Sequence, residues 1–271
     1  MIEIKKVIEI ALKAGEEILN VYNSDDFDIQ TKTDKSPLTR ADTTSHNLIK
    51  KSLSELEPDI PVLSEEGVSI PYEERKNWKR FWLVDPLDGT KEFIKKNGEF
   101  TVNIALIENN QPVMGIIYAP AFQNDSSNNE IHNSNGLDLS GVEVNKGSLY
   151  FAHKNFGAYK IFNSNVPIKL PLANHKKDNL VGVRSRSHSS EEELRVLNDL
   201  GVSDYIYVGS SLKFCMIAEG LAQVYYRHRP TNEWDVGAGY AIAKYAGADI
   251  SGLSFNKQNL LNDSFIVKNL N

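Results

Sequence analysis

The sequence predicts an α+β first half followed by an α/β second half. In the first half, helix-spaced apolar residues precede short strands and a hairpin. In the second half, predicted strands and helices alternate, which is typical of α/β structure. A chain of 271 residues has room for one large layered unit or two closely packed subdomains, and we place their boundary between 1–150 and 151–271.

Apolar side chains recur every three or four positions over residues 2–21 and predict an amphipathic first helix. A second helix is predicted from about Thr43 to Leu56. Residues 123–147 are rich in Asn, Ser, Asp and Gly and predict a surface loop or disordered insertion without a catalytic role. The other elements predicted here are strands, two of which form a hairpin turning at Asn109-Asn110: Val62–Leu63, Phe81–Val84, Phe100–Leu106 and Val113–Tyr118.

The second half contains one helix with clear end signals. Ser190 and Glu193 form a capping box at its start, and Gly201 marks its end. The other predicted elements alternate between strand and helix: Leu149–Ala152, Leu180–Val183, Tyr205–Val208, Ser211–Glu219, Ala222–Tyr226 and Asp235–Tyr245.

Overall charge and cysteine usage narrow the functional classes. The chain has 36 acidic and 30 basic residues and a formal net charge of −6, which argues against a nucleic-acid or membrane surface. Cys215 is the single cysteine, so no intrachain disulfide forms. The first residues do not show the apolar run of a signal peptide, and no stretch has the length of a membrane span. We therefore expect a cytoplasmic protein.

The motif with the clearest chemistry is Asp85-Pro-Leu-Asp88-Gly-Thr90, which follows an apolar strand. The strand end would place both carboxylates and the carbonyl of Leu87 together, and hard oxygen donors suit Mg²⁺. Gly89 allows close backbone approach, and the amides of Gly89 and Thr90 open a predicted helix that would hold a phosphate. The alternative is an ordinary strand-to-helix turn in which Asp88 caps the helix.

Two further acidic segments favour the metal interpretation. Glu65 and Glu66 follow the strand at Val62–Leu63, and adjacent acids repel each other unless a cation is near. Asp235 lies at the start of a helix with small residues, where the backbone can approach a ligand closely. Each acid taken alone also fits a helix cap or a solvated loop.

These segments match, in order, the motifs of the lithium-sensitive, magnesium-dependent sugar-phosphatase superfamily that includes inositol monophosphatase. The resemblance implies a layered fold with alternating helices and sheets and a water activated by metal ions. It implies that Asp42, which alternatively caps the second helix, works with Thr90 to orient that water. Asp34 matches a weaker extra metal site or is solvated. The implied ligands of Mg²⁺ are Glu65, Asp85, the carbonyl of Leu87, Asp88 and Asp235.

Within the superfamily, three stretches resemble the CysQ-type 3′(2′),5′-bisphosphate nucleotidases: 86–94, 97–105 and 209–215. The resemblance implies a small-molecule substrate, adenosine 3′,5′-bisphosphate or its sulfated precursor. A second phosphate needs its own cations, and Lys213 and Arg227 are candidates unless they are ordinary surface cations. The alternatives are an inositol or sugar phosphatase and a metal-binding regulatory protein. The implied substrate-binding residues are Gly89, Thr90, Ser187, His188, Ser210, Ser211, Lys213 and Arg227.

Overall fold

The structure is a computed structural model that describes residues 2–24, 26–32, 36–123, 137, 139–164, 166–172 and 179–270. Within these residues the helices are α1 (Ile4–Tyr22), α2 (Arg40–Leu56), α3 (Tyr72–Arg75), α4 (Thr90–Ile94), α5 (Glu191–Asp199), α6 (Leu212–Glu219) and α7 (Glu233–Tyr245). The strands are β1 (Gln30–Thr31), β2 (Pro37–Leu38), β3 (Val62–Ser64), β4 (Arg80–Asp88), β5 (Thr101–Glu108), β6 (Gln111–Ala119), β7 (Val144–His153), β8 (Gly157–Ser164), β9 (Ile168–Lys169), β10 (Leu180–Ser185), β11 (Val202–Val208), β12 (Val224–Arg227), β13 (Thr231–Asn232), β14 (Asp249–Ser251), β15 (Leu261–Asn262) and β16 (Phe265–Lys268).

Helical and sheet layers alternate through the molecule, which confirms the predicted layered fold class. α1 and α2 pack on one face of a seven-stranded sheet with the order β3-β4-β5-β6-β7-β8-β9. α6 and α7 fill the space between its other face and a five-stranded sheet with the order β11-β10-β12-β16-β14. α5 packs against the second sheet around Leu197.

The central strand β4 is buried on both faces because helices cover both sides of the seven-stranded sheet. Trp82 and Val84 face the core that contains α1 and α2. Phe81 and Leu83 face the core that contains α6 and α7. A strand buried on both faces has a continuous apolar sequence rather than an alternating one, and residues 81–84 show that pattern.

α2 begins at Arg40, three residues earlier than predicted from the sequence. Thr39 is the N-cap, and its side chain accepts a hydrogen bond from the backbone N–H of Ala41. Asp42 lies at the third helical position and accepts a hydrogen bond from the backbone N–H of Thr39 at 2.7 Å. The reciprocal capping box extends the helix toward its N-terminus.

The hairpin between β5 and β6 confirms the predicted turn. Asn109 and Asn110 have φ angles of 49° and 60°, and both central residues of a type I′ turn require positive φ. The sequence prediction missed β8, which pairs with β7, and β16, which pairs with β12. The predicted boundary at 150/151 falls inside β7, and the sheet to which β7 belongs continues to Lys169.

The polar segment predicted at 123–147 ends earlier than expected. β7 already begins at Val144, and the side chains of Leu139, Val142 and Val144 are buried in the core beside α1. Three apolar side chains in a polar stretch do not produce a periodic pattern that would predict a buried element. Their burial nevertheless anchors the end of the segment in the core. Residues 124–136 and 138 lie outside the described residues.

Across the residues that the structure describes, no helix combines the length and the apolar character of a membrane-spanning segment.

Two nested deletions test where the polar segment stops contributing to stability. Deleting 124–146 removes Leu139, Val142 and Val144, whereas deleting 124–136 keeps all three. We expect the longer deletion to lower the free energy of unfolding more, since truncating one buried leucine costs about 2–5 kcal/mol. Urea unfolding of both variants measures the difference. Equal midpoints would contradict the assigned role of the three side chains.

Candidate active site

Three carboxylates converge where β3, β4 and α7 meet. β3 and β4 are parallel and pair Ser64 with Val84, so the next residues along the two strands, Glu65 and Asp85, lie side by side. Asp235 comes from the first turn of α7, where it accepts a hydrogen bond from the backbone N–H of Asn232 at 3.0 Å. Oxygen atoms of Glu65, Asp85 and Asp235 all lie within 4.8 Å of one another. Such a set of hard oxygen donors fits a divalent cation.

Burial and mutual repulsion act on these carboxylates. Burial, followed by the charges of Glu65 and Asp88, raises the pKa of Asp85 well above its usual range. Burial and the charges of Asp88 and Glu65 likewise raise the pKa of Asp235 well above its usual range. A cation placed among the carboxylates would relieve both effects.

Lys32 supplies one cation beside the cluster. Its ammonium group donates to Glu65 Oε1 at 2.8 Å and also contacts the carboxylate of Glu66. Burial tends to lower the pKa of Lys32, but the two carboxylates outweigh it and raise that pKa above its usual value. Glu65 is therefore paired with the ammonium group of Lys32. Among the described residues, neither Asp85 nor Asp235 forms an ion pair with a cationic side chain.

The turn after Val84 fixes the backbone around the cluster. Asp85 Oδ1 accepts the backbone N–H of Leu87 at 3.1 Å, and Ser45 of α2 donates to the carbonyl of Pro86 at 2.8 Å. Gly89 has φ of 90°, and a Cβ atom there would lie 3.0 Å from the carbonyl of Glu99. This position therefore requires glycine, both for its backbone conformation and for the close approach of a neighbouring chain.

Asp88 faces the second half of the chain. Burial raises its pKa, while the charge of Lys213 and hydrogen bonds from the Ser210 hydroxyl and the Ser211 amide oppose that rise. Ser210 has φ of 54°, and its hydroxyl lies 2.7 Å from Thr101 Oγ1. Asp88 thus joins the carboxylate cluster to the segment that opens α6.

Asp42 and Thr90 are brought together by the packing of α2 against the turn after β4. Thr90 Oγ1 donates to Asp42 Oδ1 at 3.1 Å and lies 3.4 Å from the carbonyl of Leu87. Asp42 Oδ2 is occupied by the amide and hydroxyl of Thr39. Asp42 therefore serves the helix cap with one oxygen and contacts Thr90 with the other. Burial raises the pKa of Asp42 although hydrogen bonds from Thr39 oppose it.

A cavity of about 340 Å³ contains most of the residues predicted from the sequence. The predicted residues that line it are Glu65, Asp85, Leu87, Asp88, Gly89, Thr90, His188, Ser210, Ser211, Lys213, Arg227 and Asp235. Ser187 lies outside its lining, and its hydroxyl donates to Oε1 of Glu92, a lining residue, at 2.5 Å. Asp42 lies behind Thr90. Asp34 lies outside the described residues.

Cationic side chains line the same cavity. Arg227 Nη1 donates to the carbonyl of His188 at 3.1 Å and lies 3.4 Å from Glu193 Oε1. Lys213 is buried and its ammonium group contacts the carbonyl of Ser210. Burial lowers the pKa of Lys213, and the nearby charge of Asp88 opposes that effect. The cavity therefore presents negative and positive groups to one ligand.

Glu99 connects two loops of the site, a role that the sequence analysis missed. Its carboxylate accepts two hydrogen bonds of 2.6 Å from the guanidinium of Arg186 and one of 2.9 Å from the amide of Gly209. Lys32 and Lys91 were also missed. An isolated lysine or glutamate gives no periodic signal, and only the motif beside Thr90 hinted that Lys91 was close to the site.

Comparison with known proteins identifies the class. The model of the inositol monophosphatase family matches residues 3–271, and this chain belongs to that family. Enzymes of this family are metal-dependent phosphatases, and the carboxylate cluster of this chain can hold a metal ion.

Individual proteins are similar to this chain over most of its length. The chain is 41% identical over 248 residues to the 3′(2′),5′-bisphosphate nucleotidase CysQ of Salmonella typhimurium, covering 91% of this chain and 89% of that protein. The crystal structure of CysQ from Bacteroides thetaiotaomicron matches with a TM-score of 0.79 and 41% identity, over 98% of this chain and 96% of that chain. An IMPase of Thermotoga maritima matches with a TM-score of 0.73 at 21% identity, over 100% and 93% of the two chains, and shares the fold.

The buried carboxylates generate a prediction about stability. Since the pKa values of Asp85 and Asp235 are raised in the folded state, that state holds more protons than the unfolded state above the ordinary carboxyl pKa. The metal-free protein should therefore lose stability as pH rises through this window. Asp85→Asn should stabilise the metal-free protein at alkaline pH by removing one like charge, and it should weaken stabilisation by added Mg²⁺.

Thermal unfolding with EDTA or with Mg²⁺ measures both effects, and Asp249→Asn, at an exposed position of β14, is the matched control. Equal Mg²⁺-induced shifts of Tm in the wild type and in Asp85→Asn would remove Asp85 from the ligand set.

Proposed function

We propose that this chain is a Mg²⁺-dependent phosphatase that removes the 3′-phosphate from adenosine 3′,5′-bisphosphate. The observation that carries the proposal is the single cavity lined both by the carboxylate cluster and by Lys213, Arg227 and His188. A phosphate at the carboxylates needs bridging metal ions, whereas a second phosphate of the same molecule can bind the cationic groups directly. The CysQ-type nucleotidases at 41% identity support the same substrate class.

The donor set fits Mg²⁺. Glu65, Asp85, Asp88, Asp235 and the carbonyl of Leu87 would hold the ions, all through oxygen atoms, as this metal prefers. When bound, the ions lower the pKa of a water molecule and neutralise charge on the leaving oxygen. Gly89 leaves space beside the cluster because no side chain projects from it.

Asp42 and Thr90 would orient the attacking water. Thr90 Oγ1 gives its proton toward Asp42 Oδ1, so a lone pair of the same oxygen is left to accept a hydrogen bond from water. Asp42 Oδ2 is held by Thr39, which fixes the carboxylate in this direction. Water then attacks phosphorus and gives a proton to Thr90 Oγ1 as Thr90 passes its own proton to Asp42 Oδ1. The bond between phosphorus and the 3′-oxygen breaks, that oxygen takes up one proton from solvent, and Asp42 returns one proton to solvent. The raised pKa of Asp42 brings it closer to that of an effective general base.

Arg227 is the anchor that we assign to the second phosphate. Its described contacts with His188 and Glu193 both use Nη1, so Nε and Nη2 are available among the described contacts for a bidentate interaction. Lys213 lines the cavity with Arg227, and its charge also acts on Asp88. We therefore assign Lys213 to both ends of the substrate rather than to the second phosphate alone. Ser210 and Ser211 would add hydroxyl or amide donors beside it.

The alternatives fit the cavity less well. A neutral polyol offers no group that requires Arg227 and His188, whereas adenosine 3′,5′-bisphosphate and its sulfated form both carry a second anion. A regulatory protein that only bound metal would not need the contact between Thr90 and Asp42, which leaves the metal ligands unchanged.

Thr90→Ala and Asp42→Asn test the water-orienting pair. Each should lower kcat by about 10²–10⁴-fold, because the water loses its hydrogen-bond acceptor or the proton loses its base. Mg²⁺ binding, measured by calorimetry, should change little, since neither side chain is an assigned ligand. Thr43→Ala, at an exposed position of α2, is the control. Near wild-type turnover in both variants would show that another group orients the water.

Arg227→Ala tests the second phosphate site. The variant should lower kcat/KM for adenosine 3′,5′-bisphosphate at least about tenfold more than for adenosine 3′-monophosphate, since charged hydrogen bonds contribute about 1.5–3 kcal/mol. Lys213→Ala should lower both values because it also removes the cation beside Asp88. Arg229→Ala changes an exposed neighbouring cation and serves as the control. Equal losses on both substrates in Arg227→Ala would favour a structural role.

A further inference from the structure

The cations that line the cavity differ in how their charges are balanced. Arg227 forms an ion pair with buried Glu193 at 3.4 Å. Lys213 lies close enough to Asp88 for the two charges to shift each other's pKa. Lys91 forms no ion pair with a carboxylate among the described residues, although Glu92, whose carboxylate accepts from Ser187, lines the same cavity. Lys91 is therefore a positive charge that faces the cavity without an ion-pair partner among those residues.

The one described polar contact of the Lys91 ammonium is with His188. Lys91 Nζ lies 3.2 Å from His188 Nε2, and both residues line the cavity. An ammonium group only donates hydrogen bonds, so His188 Nε2 must accept and the ring carries its proton on Nδ1. Burial and the charges of Lys91 and Arg227 lower the pKa of His188, which agrees with a neutral ring.

The position of Lys91 in α4 relates it to the reaction. Thr90, the preceding residue, belongs to the water-orienting pair, and Lys91 is exposed at the opening of the cavity. Arg227 is fixed from the other side by the carbonyl of His188. His188 therefore contacts both cations, Lys91 through its ring and Arg227 through its backbone.

We propose that Lys91 is a specificity-determining residue that binds the phosphate not hydrolysed in the reaction, together with Arg227 and with His188 between them. This inference rests on the proposed function and adds a residue to it. An anion that enters the cavity offers Lys91 an ion pair that no described carboxylate forms with it, so the lysine can leave the ring of His188 for the phosphate without breaking an ion pair. Arg227 contributes a fixed planar fork, and Lys91 contributes a mobile point charge.

The experiment compares two esters that differ in one phosphate, adenosine 3′,5′-bisphosphate and adenosine 3′-monophosphate. Lys91→Met should reduce the wild-type preference for the bisphosphate, expressed as the ratio of the two kcat/KM values, by about tenfold. Lys91→Arg keeps the charge and should restore most of the preference. Lys95→Met changes an exposed lysine just after the same helix and should leave both rates unchanged. Binding of adenosine 5′-monophosphate, which has only the second phosphate, should weaken about tenfold in Lys91→Met.

The outcomes separate the inference from the function on which it rests. A wild type that uses the two esters equally would overturn the proposed function and this inference with it. A wild-type preference that persists in Lys91→Met would overturn the inference alone. Equal losses on both esters in Lys91→Met, with no rescue by Lys91→Arg, would assign Lys91 a structural role instead.

Discussion

The carboxylate cluster where β3 and β4 end is the constraint on which the rest of the site depends. Two parallel strands bring Glu65 and Asp85 to one edge, and α7 adds Asp235 from another layer. Burial makes their negative charges costly, as the raised pKa values of Asp85 and Asp235 show. A bound cation would offset this repulsion. Without a cation, the cluster that forms the metal site lowers the stability of the fold.

The loops around the cluster are held by contacts between distant parts of the chain. Glu99 binds Arg186 and the amide of Gly209, which fixes the segments that carry His188 and Ser210. The carbonyl of Glu99 also lies against Gly89. One residue therefore connects the segments that carry Gly89, His188 and Ser210. Precise placement of this kind is what lets a bound substrate meet its reacting groups without further ordering.

Charge is distributed in the cavity in a way that suits a molecule with two anionic groups. The carboxylates require metal ions before an anion can approach, whereas Arg227 and Lys91 attract an anion directly. Lys213 also lines the cavity, and its positive charge acts on the carboxylate of Asp88. In the function that we propose, a cavity with both kinds of charge would discriminate by substrate charge as well as by shape.

The sequence by itself determined the main elements and the metal-binding motif. Apolar periodicity identified α1, a short continuous apolar run identified β4, and the paired asparagines identified the hairpin, because these signals are local. The motif from Asp85 to Thr90 likewise lies in one short segment. Its resemblance to the sugar-phosphatase superfamily therefore predicted the roles of Asp85, Asp88 and Thr90 together. Short strands such as β16 were missed because pairing with strands elsewhere in the chain, here β12 and β14, stabilises them.

Only the tertiary structure decided which side chains share charges. Lys213, which is predicted to bind the distant phosphate, also exerts its charge on Asp88 in the folded chain. The hydroxyl of Ser187 contacts Glu92, a carboxylate that lines the cavity. The contact between Lys91 and His188 joins α4 to the loop after β10, 97 positions further along the chain. The interaction between two charges depends on the distance between them in space. The number of residues that separates two side chains in the sequence does not give that distance when they lie on layers that pack together only in the folded chain.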